Sequence, residues 1–487
     1  MAAEATEVMA RFGHTLMAGS SEANGARGRD PPGVSTTRTK LLGLLLPLAA
    51  AAALVLAATA SHARGRAGSM SMPGMSMPGM SMPGDMPGMS RNPAIRAQEM
   101  GAMNMAGTHY LYVWAGDAAR RLPDRLAAID FQRNSPNYGK VVGWATVPGP
   151  DGIDNEPHHC MISLSMRIIT CSGLLSVLHH HPSIFFFNIS NPAHPRFMFA
   201  RDPKLSAVTD EEAPLGDGGY LVTDMGSATG GSPGRVVELN AQMQITHEWP
   251  TNPPAGFNPH GMTIDVQRNL MLTSDFVDPA TTLDSDPGPV VFRGTVRVWN
   301  FKERRIIRTI TVPGTPGLME VRFIPGDPQA RAYTGGFTNG ELYLVSPYAG
   351  TAQPVFNTNV FAPHASIQVP VISPDGRRLF LPVNAKGGGE IVMFDITNPA
   401  KPRVLDEIAL GPGAGPHDSL LTRDNRLVLT DYFLNEDGFG KVHYGGDHRV
   451  RVFLVGKDSL RPDPRFNLDF NDIVPGEQLR PHGTDAF

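Results

Sequence analysis

NPHGMTIDVQRNLMLTSD (258–275) and GPHDSLLTRDNRLVLTDY (415–432) are one phrase written twice. Each opens on Pro-His, runs through a short apolar stretch and turns. Each then enters a second strand-like run, whose threonine stands thirteen residues after the histidine. Pro-His returns at Pro157-His158, Pro363-His364 and Pro481-His482. A separate apolar element recurs alongside it, as DRLAAIDFQ (124–132), SIFFFNIS (183–190), RVVELN (235–240), TVRVWN (295–300), ELYLV (341–345), EIVMFDI (390–396) and RVRVFLV (449–455). These seven copies are 46 to 60 residues apart. The hairpin track that carries Pro-His has seven members too, beginning near His158, Glu212, His260, Glu320, His364, His417 and His482. Two tracks thus give one count. Units of about 50 residues, rich in strand formers and almost without helical periodicity, have the size of propeller blades. The predicted fold class is all-β, a seven-bladed β-propeller over 108–487. The strand near His109–Trp114 and the C-terminal segment are expected to share the blade that closes the ring.

The first strand of a propeller blade lines the central channel, so equivalent residues on those strands converge. Five of the seven hairpin-track positions are histidine and two are glutamate. Five imidazoles buried together without a cation would leave many polar nitrogens to satisfy. One such histidine alone would be structural more often than not; five in register point to a metal. Imidazole suits copper, iron, zinc and nickel. The predicted ligands are His158, His260, His364, His417 and His482, with copper favoured and iron or zinc as alternatives. Glu212 and Glu320 are placed to bind the metal or to orient a histidine. His159 and Glu320 are the expected proton carriers. Strand alternation turns either His158 or His159 away from the axis. His179-His180-His181, His194 and His247 read as surface residues. KVHYGGDH (441–448) reads as an insertion over one mouth of the channel.

Export and copper are suggested by the N-terminal quarter. Arg38 and Lys40 precede an apolar run from Leu41 to Ala60, then Ser61-His62-Ala63, the layout of a signal peptide. An uncleaved anchor through 41–60 is the competing reading, and both place the main domain outside the cytoplasm, periplasmic or secreted. Residues 1–63 are therefore leader and signal, and 64–107 a disordered linker. Within it, MSMPGMSMPGMSMPGDMPGMS (70–90) holds eight methionines among Pro-Gly breaks. Such a segment packs no core, and its soft sulfurs suit Cu(I) capture or delivery. A formal net charge of −4 and the lack of a basic cluster argue against nucleic acid. HExxH and a strand-borne GxGxxG are missing, and TGGSPG (229–234) lacks the Lys-Ser/Thr of a phosphate loop, so a nucleotide enzyme is unsupported. Cys160 and Cys171 leave two readings open, a cross-strand disulfide or two small core residues.

EPHHC (156–160), LVTDMG (221–226), MEVRF (319–323), ISPDGRRLF (372–380), MFDITNPAKPRV (393–404) and the terminal HGTDAF together resemble the selenium-binding protein family, which includes bacterial methanethiol oxidases. The resemblance covers most of 108–487. It implies a seven-bladed propeller with histidines around copper, and oxidation of methanethiol with oxygen and water to formaldehyde, hydrogen sulfide and hydrogen peroxide. Its histidines carry over best to His158 and His159. Where the family has a His-x-x-His pair, this chain has Asp210 and Ala213. His260, His364 and His417 fall where the well-known members do not carry histidine, so a re-centred site is expected. The expected function is an exported oxidase of small sulfur compounds taking a thiol and O2, with a non-catalytic copper or selenium binder as the alternative.

Overall fold

A computed structural model describes residues 108–486, except 386, 432–439 and 443. The expected signal peptide and methionine-rich linker lie outside the described residues. Seven antiparallel sheets follow one another in sequence. The inner strands are Leu479–Ala486 (blade 1), Pro157–Ile162 (blade 2), Ser206–Pro214 (blade 3), Pro259–Asp265 (blade 4) and Leu318–Phe323 (blade 5). Ser366–Ile367 begins blade 6, and Pro416–Leu421 is innermost in blade 7. Inner strands of neighbouring blades pack side by side around the ring.

Blade 1 joins the two ends of the domain. Leu479–Ala486 pairs antiparallel with Tyr110–Asp117, which pairs with Arg125–Asp130. The apolar runs read from sequence are the third strands of their blades, from Arg125–Asp130 and Ile184–Asn188 to Arg449–Val455. Their Val, Ile, Phe and Tyr side chains suit a pleated surface buried on both faces. Each blade–blade interface has its own apolar cluster. Leu126, Cys160, Ile169 and Phe185 join blades 1 and 2, and Leu379 and Leu381 meet Tyr333 and Leu342 between blades 5 and 6. The last interface, between blades 7 and 1, adds a buried cation. The Arg426 guanidinium stacks 3.7 Å over Phe131 and donates to the Phe131 carbonyl at 2.8 Å. Cys160 and Cys171 are register partners in the first hairpin of blade 2 and form a disulfide.

Candidate metal centre

Six of the seven inner strands bulge at the same place. Two residues of the inner strand there oppose one residue of the second strand. The pairs are His158-His159, Asp210-Glu211, His260-Gly261, Met319-Glu320, His417-Asp418 and His482-Gly483. A bulge breaks the two-residue alternation and re-aims the side chains it carries. This is why both His158 and His159 enter the cluster, against the alternation argument. At four of the six bulges the residue opposite also ties blades together. Ser172 Oγ donates to the Asp210 carbonyl at 2.7 Å, and Thr223 Oγ1 to the His260 carbonyl at 2.7 Å. Ser274 Oγ donates to the Met319 carbonyl, and Trp114 Nε1 to the Ser172 carbonyl at 2.8 Å. One hydroxyl or indole thus holds the next blade at the height of its bulge. Gly483 lets the closing strand approach blade 2. A Cβ there would lie 2.1 Å from the His158 carbonyl oxygen.

The bulges bring His158, His159, His260, His417 and His482 together, all at most 6% exposed. His158 and His482 have ring centroids 4.0 Å apart, and His417 and His482 4.5 Å. His159 Nε2 faces His417 Nε2 at 3.3 Å. Asp210, fully buried, lies among them. Its Oδ2 is 3.2 Å from His158 Nε2 and 3.3 Å from His260 Nε2, and its Oδ1 is 3.3 Å from His159 Nδ1. None of these carboxylate contacts is aligned as a hydrogen bond, and neither His158 nitrogen has a hydrogen-bond partner among the described residues. Two histidines are fixed from behind. His260 Nδ1 faces Glu320 Oε1 at 3.0 Å, and His417 Nδ1 faces Gln368 Oε1 at 2.9 Å. An imidazole that donates through Nδ1 turns the lone pair of Nε2 towards the cluster. Arg322 in turn bridges Glu320 at 2.6 Å and Glu211 at 2.7 Å.

Burial dominates the electrostatics. It pulls His158 down to about 4, and with the neighbouring imidazoles it holds His417 and His482 well below the ordinary histidine value. Burial also pulls on His159, but Asp210, Asp418 and Glu320 outweigh it and raise that ring. Burial would raise Asp210; His260 and His158 outweigh it and keep the carboxylate well below its usual range. Three imidazoles held neutral beside an ionised carboxylate are a donor set matched to a cation.

Two sequence expectations change. His364 is exposed and left-handed (φ 59°) in the approach to blade 6, outside the cluster. The inner strand of that blade breaks after Ile367, and Gln368 is what it offers to the site. Glu212 is not equivalent to the histidines. It pairs with Val222 just past the bulge of its blade, and the residue in register with His158 is Asp210. Glu320 lies behind His260, facing its Nδ1 at 3.0 Å, and pairs with Arg322, the placement of a residue that orients a histidine. Burial would raise it, but Arg322 and His260 outweigh burial and bring it to about 2. Asp210 is the residue the track missed, although it had stood out as a departure from the family pattern. Asp275 and Asp431 are structural. They accept from the backbone N–H of Asn258 and Gly415, two residues before His260 and His417.

An apolar roof covers the ends from which the inner strands start. Leu174, Leu175, Val208, Met225, Phe276 and Met319 form it, and the Phe276 ring lies 5.2 Å from His260. The described part of the blade 7 insertion joins this roof. Val442 and Tyr444 pack on it, and Lys441 Nζ donates to the carbonyls of Asp286 and Gly288 at 2.7 and 2.8 Å.

With this geometry in view, comparison with known proteins decides the family. A model of the 56 kDa selenium binding protein (SBP56) family matches residues 89–430. The chain belongs to the SBP56 family. Similar members include a methanethiol oxidase of Hyphomicrobium sp, 22% identical over 394 residues, which covers 75% of this chain and 84% of that protein. Selenium-binding protein 2 of Mus musculus is 25% identical, covering 69% and 76% respectively. Among solved structures, a hypothetical selenium-binding protein from Sulfolobus tokodaii superposes with a TM-score of 0.66 at 17% identity. It covers 81% of this SBP56 chain and 95% of its own. A Pseudomonas aeruginosa periplasmic gluconolactonase shares the fold alone, with a TM-score of 0.51 at 10% identity.

Proposed function

We propose that this SBP56 member is an exported copper-dependent oxidase of small thiols, using O2. One observation carries the reading: five buried imidazoles and an ionised aspartate converge, with the His158 nitrogens and the Asp210 oxygens unmatched by hydrogen bonds. Unmatched buried donors and acceptors are costly unless a cation takes them up. The donor set fits copper, with iron or zinc as chemical alternatives. His158, His159, His417 and His482 would hold it, their potential ligand atoms all lying within 4.8 Å of one another. Copper bound there supplies the electron exchange between thiol and oxygen. The family reaction is expected to apply: one methanethiol, one dioxygen and one water give one formaldehyde, one hydrogen sulfide and one hydrogen peroxide.

The chain's own groups have separable tasks. His417, backed by Gln368 Oε1, and His260, backed by Glu320 Oε1, present Nε2 in a fixed tautomer. His159 turns Nδ1 towards Asp210 Oδ1 at 3.3 Å, and this nitrogen is suited to receive the thiol proton, which the carboxylate would then stabilise. Phe276, Leu174, Met225 and Met319 keep bulk water off the histidines and favour an apolar substrate. The methionine-rich stretch 70–90 is proposed as a copper-acquisition arm, and the apolar run 41–60 as the export signal. A second reading, a non-catalytic copper or selenium binder, is favoured by the near-complete burial of all five rings.

The test is protein purified from the periplasm, assayed for metal and for hydrogen peroxide release on adding methanethiol. Bound copper with peroxide release supports the oxidase. Bound copper without turnover of any small thiol leaves the binder. Protein without metal after copper loading refutes both.

A further inference from the structure

The donors fall into two sets, and two histidines, His158 and His159, belong to both. On one side, His159 Nε2 and His417 Nε2 are 3.3 Å apart, with His158 and His482 completing a four-histidine group. On the other, Asp210 Oδ2 lies 3.2 Å from His158 Nε2 and 3.3 Å from His260 Nε2, and Asp210 Oδ1 lies 3.3 Å from His159 Nδ1. Glu320 joins His159 and Asp210 in a further cluster of potential ligands. His417 and His482 take no part in this second set, and His260 and Asp210 take none in the first. His159 thus offers Nε2 to one set and Nδ1 to the other.

The separations themselves are informative. A buried ring nitrogen and a carboxylate oxygen out of hydrogen-bond alignment leave both groups unsatisfied unless a cation lies between them, and the 3.3 Å His159–His417 contact, within reach of a shared proton, is also the spacing of two ligands on one cation. Donors that share a tetrahedral ion through bonds of about 2.0–2.1 Å are about 3.3 Å apart. That spacing occurs here at two places, on opposite nitrogens of one ring. A single transition ion accepts four ligands in such a shell, and the four-histidine group alone fills it. His158 and Asp210 are 3% and 0% exposed, and neither has a hydrogen bond through its ring nitrogens or carboxylate oxygens. Asp210 is therefore aimed at something the four-histidine group does not use, and His158 is shared between the two sets.

We propose that the centre takes two metal ions. One sits in the four-histidine set. The other sits in a mixed set of Asp210, His260 and the near nitrogens of His158 and His159, with Glu320 behind it. His158 and His159 are common to both sets, and His159 bridges them through its two ring nitrogens. The proposal rests on the metal reading above and extends it to a second, harder subsite, whose carboxylate oxygen favours a divalent ion over Cu(I).

The probe is Co(II), titrated into untagged full-length apoprotein and followed by equilibrium dialysis and visible absorption. Thioether sulfur prefers Cu(I), so the methionine-rich stretch does not enter the count. The wild type is expected to bind two equivalents, His260→Ala one, and His417→Ala one. The two variants should retain different absorption spectra, because different sets survive. Near-ultraviolet circular dichroism confirms that each variant is folded, and Asp210→Asn serves in place of His260→Ala if that variant unfolds. One equivalent in the wild type overturns the second subsite and leaves the single-metal reading standing. Loss of all cobalt in both folded variants also overturns it, because all donors then serve one ion. No cobalt or copper in the wild type overturns the metal reading itself.

Discussion

Replacing Gly483 by alanine tests the link between ring closure and the metal site. The added Cβ would fall 2.1 Å from the His158 carbonyl oxygen and 2.8 Å from two backbone atoms of His159. Real Cβ contacts under 3.0 Å are essentially never seen, so the strand must retreat by about 1 Å. Neither side yields cheaply. Leu479–Ala486 is laddered to Tyr110–Asp117, and the His158 carbonyl belongs to a bulge inside a paired strand. Overpacking of this kind costs about 3 kcal/mol, a fall in Tm of roughly 5 °C for a domain of this size. The greater effect is on metal. His482 adjoins the substituted residue, and metal–ligand distances tolerate shifts of only about 0.2 Å. Calorimetry and metal analysis should therefore show G483A folded, somewhat less stable and depleted in metal. Gly231→Ala is the control, because the nearest atom to its new Cβ is 3.9 Å away. Wild-type Tm and metal content in G483A would refute the close approach of the closing strand to blade 2.

Other substitutions probe the cluster directly. His364→Ala should leave metal content unchanged while His417→Ala lowers it; equal losses would place His364 in the site after all. Gln368→Leu removes the acceptor behind His417 Nδ1 and should weaken metal binding about 10- to 100-fold, whereas Gln368→Glu, which keeps an acceptor, should largely restore it. Competition titrations with a chelator would read both. Acid should act in a defined window. The folded His158 value, about 4, lies below the ordinary 6.5, so between those values the unfolded chain binds the extra proton and apoprotein stability falls as pH drops. Between pH 7 and pH 5 that ring alone contributes about 2 kcal/mol to the loss. Urea unfolding of the apoprotein at pH 7 and pH 5 checks it, and equal stabilities would contradict a neutral buried His158.

The blades could be counted from the chain because their third strands are runs of β-branched and aromatic residues on a steady spacing. RVVELN and TVRVWN need no tertiary context to read as strands. The histidines were legible where Pro-His starts an inner strand, as at Pro259-His260 and Pro416-His417. The track slipped where backbone irregularity adds or removes a residue. In blade 3 the bulge at Asp210-Glu211 shifts the register, so Glu212 looked equivalent to a histidine when Asp210 is. In blade 6 the inner strand breaks between Ile367 and Val371, and His364 precedes it in a left-handed turn. A two-residue alternation rule also cannot foresee that His158 and His159 both face inward. Only the ladder reveals the bulge. Arg322, two residues along the same strand, and His260 then outweigh burial and keep Glu320 an ionised partner behind His260.

The strand Leu479–Ala486 has a consequence for biosynthesis. A ribosome makes the donors in the order His158, His159, Asp210, His260, Glu320, His417 and, last, His482. More than three hundred residues separate the first of them from the last. A nascent or truncated chain can hold six blades and most of the imidazoles, yet it lacks the strand that both completes blade 1 and contributes the final ring. Maturation is therefore ordered by topology: the histidine cluster is complete only after Leu479–Ala486 has been made, and no product terminated before it carries the full constellation.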